Sequence, residues 1–514
     1  MKHRIFQPVL WGLCLSGLLS ASQPADPGRP PRIDPDYTDL EIPPNIAPLN
    51  FRIQEKGEAF RVRIAAPEGE SIHIRSGGGL IRIPMKPWKR MLSENKGGSL
   101  RYEIQAKGPD GWRSFQPFEN RVSADTIDSY LAYRLIDPAF SLWVKMGIYQ
   151  RDLETFDESP VLVNRITEYK CMNCHNFLNK DPNNMVMHIR GGSVSGTLIA
   201  SGGELRKVDT ATPFNKAGAY PSWHPGGGMI AFSVNKLSMF FHSSRKESRD
   251  VLDSKSDLIV YLIDENRVTS DSKISDPDRM ETFPCWAPDG RALYFCSSPR
   301  LESYVIKKDG VEDLAWDRIR YSLMRVDFDP DSRTWGVLET VISSDEIGGS
   351  ITEPRVSPDG RFLLFTLADY GNFPIYLKSA DLHMLDLQTG EIRRLDCNSP
   401  DTDSFHSWSG NGRWFVFASK RRDGFCARPY FCHVDAHGAV SKPFVMPQPD
   451  PDFYDTFIKT YNVPELVRGR IRIDARTLSA TAHDNDHKYS AQLDPALQPR
   501  ETGGEEDLYR PAVR

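Results

Sequence analysis

Three residues near the middle of the chain have the spacing of a covalent haem attachment site. Cys171, Cys174 and His175 form a Cys-x-x-Cys-His motif within the run Glu168–Phe177. Two thiols at this spacing can add across the vinyl groups of haem, and the adjacent imidazole can bind the iron as the proximal ligand. The motif therefore predicts one haem c, with Cys171 and Cys174 as the thioether residues and His175 on the iron.

Two other interpretations of the motif stay open. Cys171 and Cys174 can form a disulfide or a redox dithiol, although a thioredoxin-like dithiol is expected in a βαβ context and the surrounding sequence reads as mostly β. The two thiolates can also join two histidines in a structural zinc site. The sequence contains no second Cys-x-x-Cys that would complete a four-thiolate site.

A haem iron with six ligands needs a distal residue, and three residues after the motif are candidates. Met185, Met187 and His188 lie in the strand-like run Asn184–Gly192. Successive side chains of a strand point to opposite faces, so the two methionines face one way and His188 the other. A thioether ligand would raise the reduction potential relative to a second imidazole. The alternatives are an open sixth position, or Met185, Met187 and His188 acting only as packing residues.

Four copies of one pattern follow the motif. In each copy an aromatic or apolar residue precedes a turn of the Pro-Asp-Gly type, and an alternating run follows. Pro pre-sets φ, Asp bonds back to the turn and Gly accepts positive φ, so each copy predicts two antiparallel strands joined by a tight turn. The copies are Tyr220–Ser233, Phe283–Cys296, Glu353–Phe365 and Phe405–Phe417.

These repeats resemble the TolB-type β-propeller repeat over residues 191–467. The resemblance implies five or six blades. Five come from the four copies and a partial blade at Gly196–Asp209, and a sixth forms if the strand Asp455–Tyr461 closes the ring onto the first blade. The chain is also similar to a group of exported TolB-like proteins that carry a cytochrome c-type motif ahead of the propeller. That similarity implies an architecture and no particular activity.

The residues before the motif predict export. Residues 1–22 have a basic start, an apolar run at Val9–Leu19 and small residues at Ser20–Ser22, as in a secretory signal peptide. Lipidation at Cys14 is not expected, because the preceding Leu13 is bulky where a lipoprotein signal needs a small residue. The mature chain is expected to be a soluble periplasmic protein with no transmembrane segment.

The remaining chain divides by composition. Residues 23–47 are rich in Pro and predict an extended tether. Residues 48–124 alternate in short runs separated by turns, which predicts an immunoglobulin- or fibronectin-like β-sandwich. Residues 125–190 are a connector that carries the motif, and residues 468–514 are polar and expected to be disordered. The fold class is therefore mainly β, a sandwich followed by a propeller.

Composition excludes some functions. The net charge is only -5 and charged residues make up 26% of the chain, without the basic patch that nucleic-acid binding requires. The sequence has no Gly-x-Ser-x-Gly, His-Glu-x-x-His or Walker loop. No catalytic residue can be named, and an enzymatic activity is neither predicted nor excluded.

Five cysteines remain outside the signal and the motif: Cys285, Cys296, Cys397, Cys426 and Cys432. Cys285 with Cys296, and Cys426 with Cys432, flank predicted turns and are candidate disulfide pairs. The odd number leaves at least one thiol without a partner in this set.

Two histidines of the repeat region are compatible with either a binding or a structural role. His224 replaces the usual Ser of the repeat turn, where a side chain most often caps the turn. His242 follows two phenylalanines and belongs either to a loop patch or to a site.

The sequence thus predicts an exported periplasmic protein with one haem c, acting in electron transfer or redox-linked binding. The propeller face would bind a redox partner, an envelope protein or a glycan. The alternative is a non-enzymatic TolB-like envelope scaffold in which the cysteines are structural.

Overall fold

The structure is a computed structural model that describes residues 28–138, 145–242, 247, 249–300, 303, 305–308 and 311–500. The predicted signal peptide and Cys14 lie outside the described residues.

The N-terminal part of the chain forms nine strands and one helix. Its elements are β1 (Ile33–Asp34), β2 (Glu41–Ile42), β3 (Phe51–Ile53), β4 (Ala59–Ala65), β5 (Ile72–Ser76), β6 (Leu80–Ile81), α1 (Met85–Glu94), β7 (Ser99–Gly108), β8 (Gly111–Ser114) and β9 (Phe118–Val122). One sheet has the order β1-β3-β6, and a larger one has the order β2-β9-β7-β4-β5 with β8 beside β7. The two sheets share an apolar core, and the finer immunoglobulin-like assignment stays a prediction.

The predicted tether differs from the structure. Of residues 23–47, those from 28 onward contain β1 and β2, which pair with β3 and β9. Tyr37, Leu40, Ile42 and Ile46 are buried in the apolar core of the two sheets. Because these apolar side chains remove surface from water, the segment folds onto the domain despite its prolines.

Residues 130–467 form most of the remaining structure as consecutive antiparallel sheets. Their strands are β10 (Tyr130–Ile136), β11 (Gly147–Asp152), β12 (Glu158–Val163), β13 (Cys171–Phe177), β14 (Met185–Arg190), β15 (Gly196–Ser201), β16 (Glu204–Asp209), β17 (Ala219–Trp223), β18 (Met229–Phe241), β19 (Arg249–Leu262), β20 (Arg267–Thr269), β21 (Arg279–Trp286), β22 (Ala292–Pro299), β23 (Val305–Lys308), β24 (Val311–Leu314), β25 (Ser322–Asp329), β26 (Thr334–Ile342), β27 (Ser350–Val356), β28 (Phe362–Ala368), β29 (Asp381–Asp386), β30 (Ile392–Arg394), β31 (Asp403–Trp408), β32 (Trp414–Ser419), β33 (Arg428–His433), β34 (Phe444–Val445) and β35 (Thr460–Val467). The short helices α2 (Ser344–Ile347) and α3 (Phe453–Thr456) lie between them.

The strands assemble into six sheets within the described part of the chain, an arrangement of the β-propeller kind. The sheets are β12-β11-β10-β35, β13 to β16, β17 to β20, β21-β22-β25-β26, β27 to β30, and β31 to β34, with β23 and β24 as a separate hairpin. The inner strands β13, β17, β21, β27, β31 and β35 contact one another in sequence, and β35 also contacts β13. The inner strands of these six sheets therefore form a closed ring.

The ring closes between the two ends of this region, in a way the sequence did not indicate. The last strand of this region, β35, pairs antiparallel with β10, which belongs to residues assigned to the connector. Tyr461, Leu466 and Val467 of β35 are fully buried. Burial of such side chains stabilises the fold by roughly 1.5–3 kcal/mol each, so it stabilises the pairing of β35 with β10. The connector is thus a sheet in its own right, and the motif begins the next one.

The four repeat turns have one geometry, as predicted. In each copy the first turn residue donates its N–H to the carbonyl that opens the next strand, at 2.7–2.9 Å. The glycines Gly227, Gly290, Gly360 and Gly412 all have φ between 68° and 80°. A side chain at these positions would be strained, which explains why the pattern requires Gly.

Much of the predicted disordered tail is ordered. After β35 the chain forms α4 (Ala475–His483), β36 (Tyr489–Ser490) and β37 (Gln492–Leu493). β36 and β37 pair in parallel with the outer strands β16 and β20. Outer edges have free backbone groups, and pairing with them orders a segment whose polar composition alone predicts disorder.

Candidate functional site

A narrow cavity lies at the centre of the ring of inner strands. Its volume is about 80 Å³. Its wall comes from β10, β13, β17, β27, β31, β35 and the loop after β28. The residues are Arg134, Asn173, Cys174, His175, Asn176, Tyr220, Pro221, Glu353, Arg355, Phe373, Ile375, Tyr376, Phe405, His406, Ser407, Asn462, Val463, Pro464 and Glu465.

Every inner strand has a bulge at the same place. The residue at each bulge has φ between 45° and 57°, and the ladder register shifts there. These residues are Cys174, Tyr220, Phe283, Glu353, Phe405 and Val463. A non-glycine residue in this left-handed region is strained by roughly 1–3 kcal/mol, and such residues cluster at functional sites. All but Phe283 line the cavity, so the strained backbone lies around it.

The two thiols of the motif lie in different environments. Cys174 is the bulge residue of β13 and lines the cavity. Cys171 instead packs in an apolar cluster with Met146, Met172 and Ile189. Burial raises the pKa of the Cys171 thiol, and it raises the pKa of Cys174 to about 11. Both thiols are therefore protonated at neutral pH, and only one of them lines the cavity.

His175 is buried in the cavity wall with no hydrogen-bond partner for either ring nitrogen. Burial, with a smaller contribution from the nearby Arg134 guanidinium, lowers its pKa to about 4 against the opposing effect of Glu465. The carbonyls of Val463 and Ala132 lie near the ring without completing a hydrogen bond. A buried polar atom without a partner costs about 1–3 kcal/mol. His175 is therefore a neutral imidazole with an available lone pair, the form that binds metal ions.

Charged groups of both signs surround the imidazole. Arg134 donates to Asn462 Oδ1 at 2.6 Å, and its Nε has no partner. Arg355 pairs with Glu353 at 3.0 Å, and both side chains are largely buried. On the same wall, Glu465 accepts from Asn176 Nδ2 at 3.1 Å. The cavity is thus polar and close to electroneutral.

The structure does not bring the predicted distal residues to the cavity. Met185 and Met187 are buried in the same apolar cluster as Cys171. His188 is buried elsewhere on β14, and its Nδ1 lies 3.1 Å from Thr197 Oγ1. The prediction placed them near the iron because they follow the motif closely. In the fold, β14 is the second strand of its sheet, and the inner strand β13 separates it from the cavity.

His406 of β31 lines the cavity, and the sequence motifs did not single it out. It is 4% exposed, and neither ring nitrogen has a hydrogen-bond partner. Burial lowers its pKa to about 3, helped by Arg355. Its signal was present in the fourth repeat copy, where Phe405-His406 stands at the place of Phe283-Pro284 in the second copy.

The loop after β28 forms one wall of the cavity and is held by a buried carboxylate. Asn372, which precedes the lining residue Phe373, donates to Asp253 Oδ2 at 2.5 Å, and Asn235 donates to the same oxygen at 2.9 Å. Burial raises the pKa of Asp253 to about 7, against the opposing hydrogen bonds. The extended hairpin of β18 and β19 thus reaches across to the cavity wall.

The other cysteines are arranged differently from the candidate pairs. All seven described cysteines are buried free thiols. Cys432 has the Cys397 thiol as a hydrogen-bonding neighbour. Cys397 follows β30 and lies 35 residues before Cys432, so the short spacing of Cys426 and Cys432 and the turn predicted between them did not indicate this neighbour.

The two histidines of the repeat region that the sequence analysis singled out, His224 and His242, have structural partners. His224 accepts from Gly226 N–H at 3.1 Å, so it caps its own turn, as residues at this position most often do. Its other nitrogen lies 3.1 Å from the carbonyl of Gly290 in the next repeat turn. His242 lies 2.6 Å from Asp250 and stacks on Trp316. These side chains connect neighbouring elements, and neither lines the cavity.

Two further features concern the zinc-site alternative and the prediction about transmembrane segments. The described residues contain no group of three or more His, Cys, Asp or Glu side chains arranged to hold a metal ion. No helix among them is long and apolar enough to cross a membrane.

Comparison with known proteins identifies no family. No protein-family model matches the chain, and no curated protein matches it. Similar solved structures include Kuenenia stuttgartiensis hydrazine synthase, at 12% identity and a TM-score of 0.31, over 52% of this chain and 64% of that chain. The chain thus spans less than two thirds of the hydrazine synthase chain.

Two further structures are similar at the same low level. The β-propeller domain of Cps50 (Swd1) from Myceliophteria thermophila is 13% identical, with a TM-score of 0.28, over 54% of this chain and 87% of that one. Synechocystis apocarotenoid oxygenase is 12% identical, with a TM-score of 0.35, over 83% and 95%. TM-scores below 0.5 give no information on function.

Proposed function

We propose that this chain is an exported periplasmic TolB-like β-propeller protein of six blades with one covalently bound haem c at its centre. Its role would be electron transfer or redox-linked binding of a partner at the propeller face. One observation carries the proposal. Cys174 and His175 of the haem-attachment motif line the cavity where the inner strands meet, and both nitrogens of His175 lack a hydrogen-bond partner.

The motif supplies the kinds of donor group that a c-type haem needs, although the cavity as it stands is too small for a haem and Cys171 lies outside it. Two thiols and a neutral imidazole are the groups that hold such a haem, and a bound haem supplies one-electron redox chemistry. Cys171 and Cys174 would form the thioethers, and His175 would offer its lone pair to the iron. Arg134 and Glu465 flank this imidazole, so the chain sets the charge around it.

The proposal requires local movement. Ligand pockets usually have volumes of about 300–1,000 Å³. This cavity has a volume of about 80 Å³. Cys171 lies in the neighbouring apolar cluster. Attachment at both thiols therefore requires Cys171 to turn toward the cavity and wall side chains to move aside. Because β13 is bulged at Cys174, its ladder is already interrupted beside the motif.

The test is a pyridine haemochrome spectrum of protein produced with a c-type maturation system. The wild type is expected to keep haem through acid–acetone extraction and to show one haem per chain by mass. The Cys171→Ala and Cys174→Ala variants each keep one thioether, so the haemochrome band moves to longer wavelength. The double variant loses covalent haem. Cys285→Ala is the matched control, since Cys285 is also a buried thiol on an inner strand.

A second candidate function is a non-enzymatic envelope scaffold with structural cysteines. It is favoured by the packing of Cys171 in an apolar cluster and by the narrowness of the cavity. Under this proposal the wild-type spectrum shows no haem, and the double alanine variant unfolds at lower denaturant concentration because Cys171 fills the cluster. Absence of any haemochrome from correctly exported wild type would overturn the first proposal in favour of this one.

A further inference from the structure

Another cavity lies at one end of the sheet formed by β21, β22, β25 and β26. Its volume is about 480 Å³, within the range of about 300–1,000 Å³ that ligand pockets usually have. Its wall comes from the start of β21, the end of β22, the start of β25 and the segment after β26. The polar lining includes Arg279, Arg318, Arg320, Ser343, Ser344 and Asp345.

Three arginine side chains bring positive charge into this cavity, which we call the arginine cavity. Arg279 donates from Nε to Ser297 Oγ at 2.8 Å, and Arg320 donates from Nε to the carbonyl of Asp369 at 3.1 Å. These bonds position the two guanidinium groups and leave their Nη atoms for a ligand. Arg318 is exposed and ends a short 3₁₀ turn. Within the described part of the chain, no ion pair joins any of the three guanidinium groups to an acidic side chain.

The polar wall suits a phosphate group. Ser322 Oγ donates to Ser344 Oγ at 3.2 Å, so the Ser344 hydroxyl keeps its own proton to donate. The three guanidinium groups and the Asp345 carboxylate give this wall a net charge of +2, whereas the whole chain has a net charge of -5. A phosphate monoester carries about 1.5–2 negative charges at pH 7 and offers three acceptor oxygens, so it matches three arginines better than a carboxylate does.

A smaller cavity adjoins the arginine cavity on the same face of the sheet. Its volume is about 170 Å³, and Arg279 lines both cavities. Ser297 of the smaller cavity has two cross-strand partners, which are Ser322 of the arginine cavity and Glu281 of the smaller one. Residues two apart on a strand face the same way, so Arg279 and Glu281 point to the same face of β21. The two cavities therefore meet along this row of side chains.

The smaller cavity contains a buried carboxyl group with an oxygen that has no partner. Glu281 is 1% exposed, and its Oε2 forms no hydrogen bond to the described residues, although the backbone of Asp276 faces the carboxyl group. Burial raises the pKa of Glu281 to about 9, with smaller contributions from the Asp257 and Asp276 carboxylates and against the opposing effect of Arg279. Glu281 is therefore neutral at pH 7, and a neutral carboxyl group both donates and accepts hydrogen bonds. Because buried polar groups are nearly always hydrogen-bonded, a ligand hydroxyl is a matching partner.

We propose that these two adjoining cavities bind a phosphate monoester of a small hydroxylated molecule, such as a sugar phosphate. The phosphate group lies between Arg279, Arg318 and Arg320, and a hydroxyl group of the ligand meets Glu281. The site is built on one sheet and uses no residue of the Cys-x-x-Cys-His motif, so this inference does not depend on the proposed haem.

Isothermal titration calorimetry with glucose 6-phosphate, inorganic phosphate and glucose tests the assignment. Glucose 6-phosphate is expected to bind about tenfold or more tightly than inorganic phosphate, and glucose is expected not to bind. Arg318→Gln should weaken the binding of both phosphates about tenfold or more, because hydrogen bonds to a charged group are lost. Arg75→Gln is the matched control, since Arg75 is an exposed arginine of β5 that lines neither cavity.

Substitutions at Glu281 separate the two parts of the ligand. Glu281→Leu should lower the affinity for glucose 6-phosphate toward that for inorganic phosphate, while inorganic phosphate still binds as to the wild type and so reports a folded site. Glu281→Gln keeps a neutral hydrogen-bonding group and should bind the ester like the wild type. Equal wild-type affinities for the ester and inorganic phosphate would overturn the role of Glu281 and assign free phosphate as the ligand. Absence of binding by both phosphates, or binding that Arg318→Gln leaves unchanged, would overturn the site.

Discussion

Replacement of Asp253 by Asn should make the protein more stable, and increasingly so as the pH rises. Asp253 is 1% exposed, and its burial raises the pKa of the carboxyl to about 7. The unfolded chain has an ordinary Asp pKa of about 3.9. Between these values the folded state binds more protons than the unfolded state, so wild-type stability falls as the pH rises from about 4 to 7.

The magnitude follows from the size of the shift. A difference of about three pKa units, at 1.36 kcal/mol each, corresponds to about 4 kcal/mol above pH 7. The amide that replaces the carboxyl group in Asp253→Asn keeps an oxygen that accepts the bonds from Asn235 and Asn372, while it has no charge to bury. The variant should therefore match the wild type near pH 4 and exceed it by up to about 4 kcal/mol at pH 8.

Urea unfolding of both proteins at pH 4, 6 and 8, followed by tryptophan fluorescence, measures this difference. Asp110→Asn is the control, since Asp110 is an exposed turn residue, and such substitutions change stability by within about 0.5 kcal/mol. A difference between Asp253→Asn and wild type that is constant with pH, or that shrinks as the pH rises, would refute the reasoning from burial.

Three further outcomes are expected. Trp414 is fully buried and donates to the carbonyl of Asp125 at 3.0 Å, so Trp414→Ala should lower the free energy of unfolding by about 3–5 kcal/mol in urea titrations. After mild oxidation of the purified protein, non-reducing peptide mapping should recover Cys397 linked to Cys432; a different linked pair would contradict the arrangement of these thiols. Deletion of residues 485–500 uncovers the outer edges of β16 and β20, and hydrogen exchange of their amides should accelerate, while β30 stays unchanged.

The sequence by itself determined the local features. Gly is required where the turn has positive φ, as at Gly290, and the Pro-Asp-Gly pattern therefore located all four repeat hairpins correctly. Alternation of apolar and polar residues with period two also indicated β-strands. This signal is local, because successive side chains of a strand point to opposite faces. The spacing of Cys171, Cys174 and His175 likewise drew attention to a segment that lines the central cavity.

Only the tertiary structure decided which side chains meet. The strands β10 and β35 lie far apart along the chain, and no local pattern shows that they share a sheet. The cavity is formed by strands that are far apart in the sequence. Nearness in sequence favoured Met185, Met187 and His188, whereas the fold places His406 in the same cavity wall as Cys174 and His175. The polar tail was ordered by edges that exist only after the sheets have formed. Burial, which gives both cavity imidazoles their neutral state, is a property of the assembled ring.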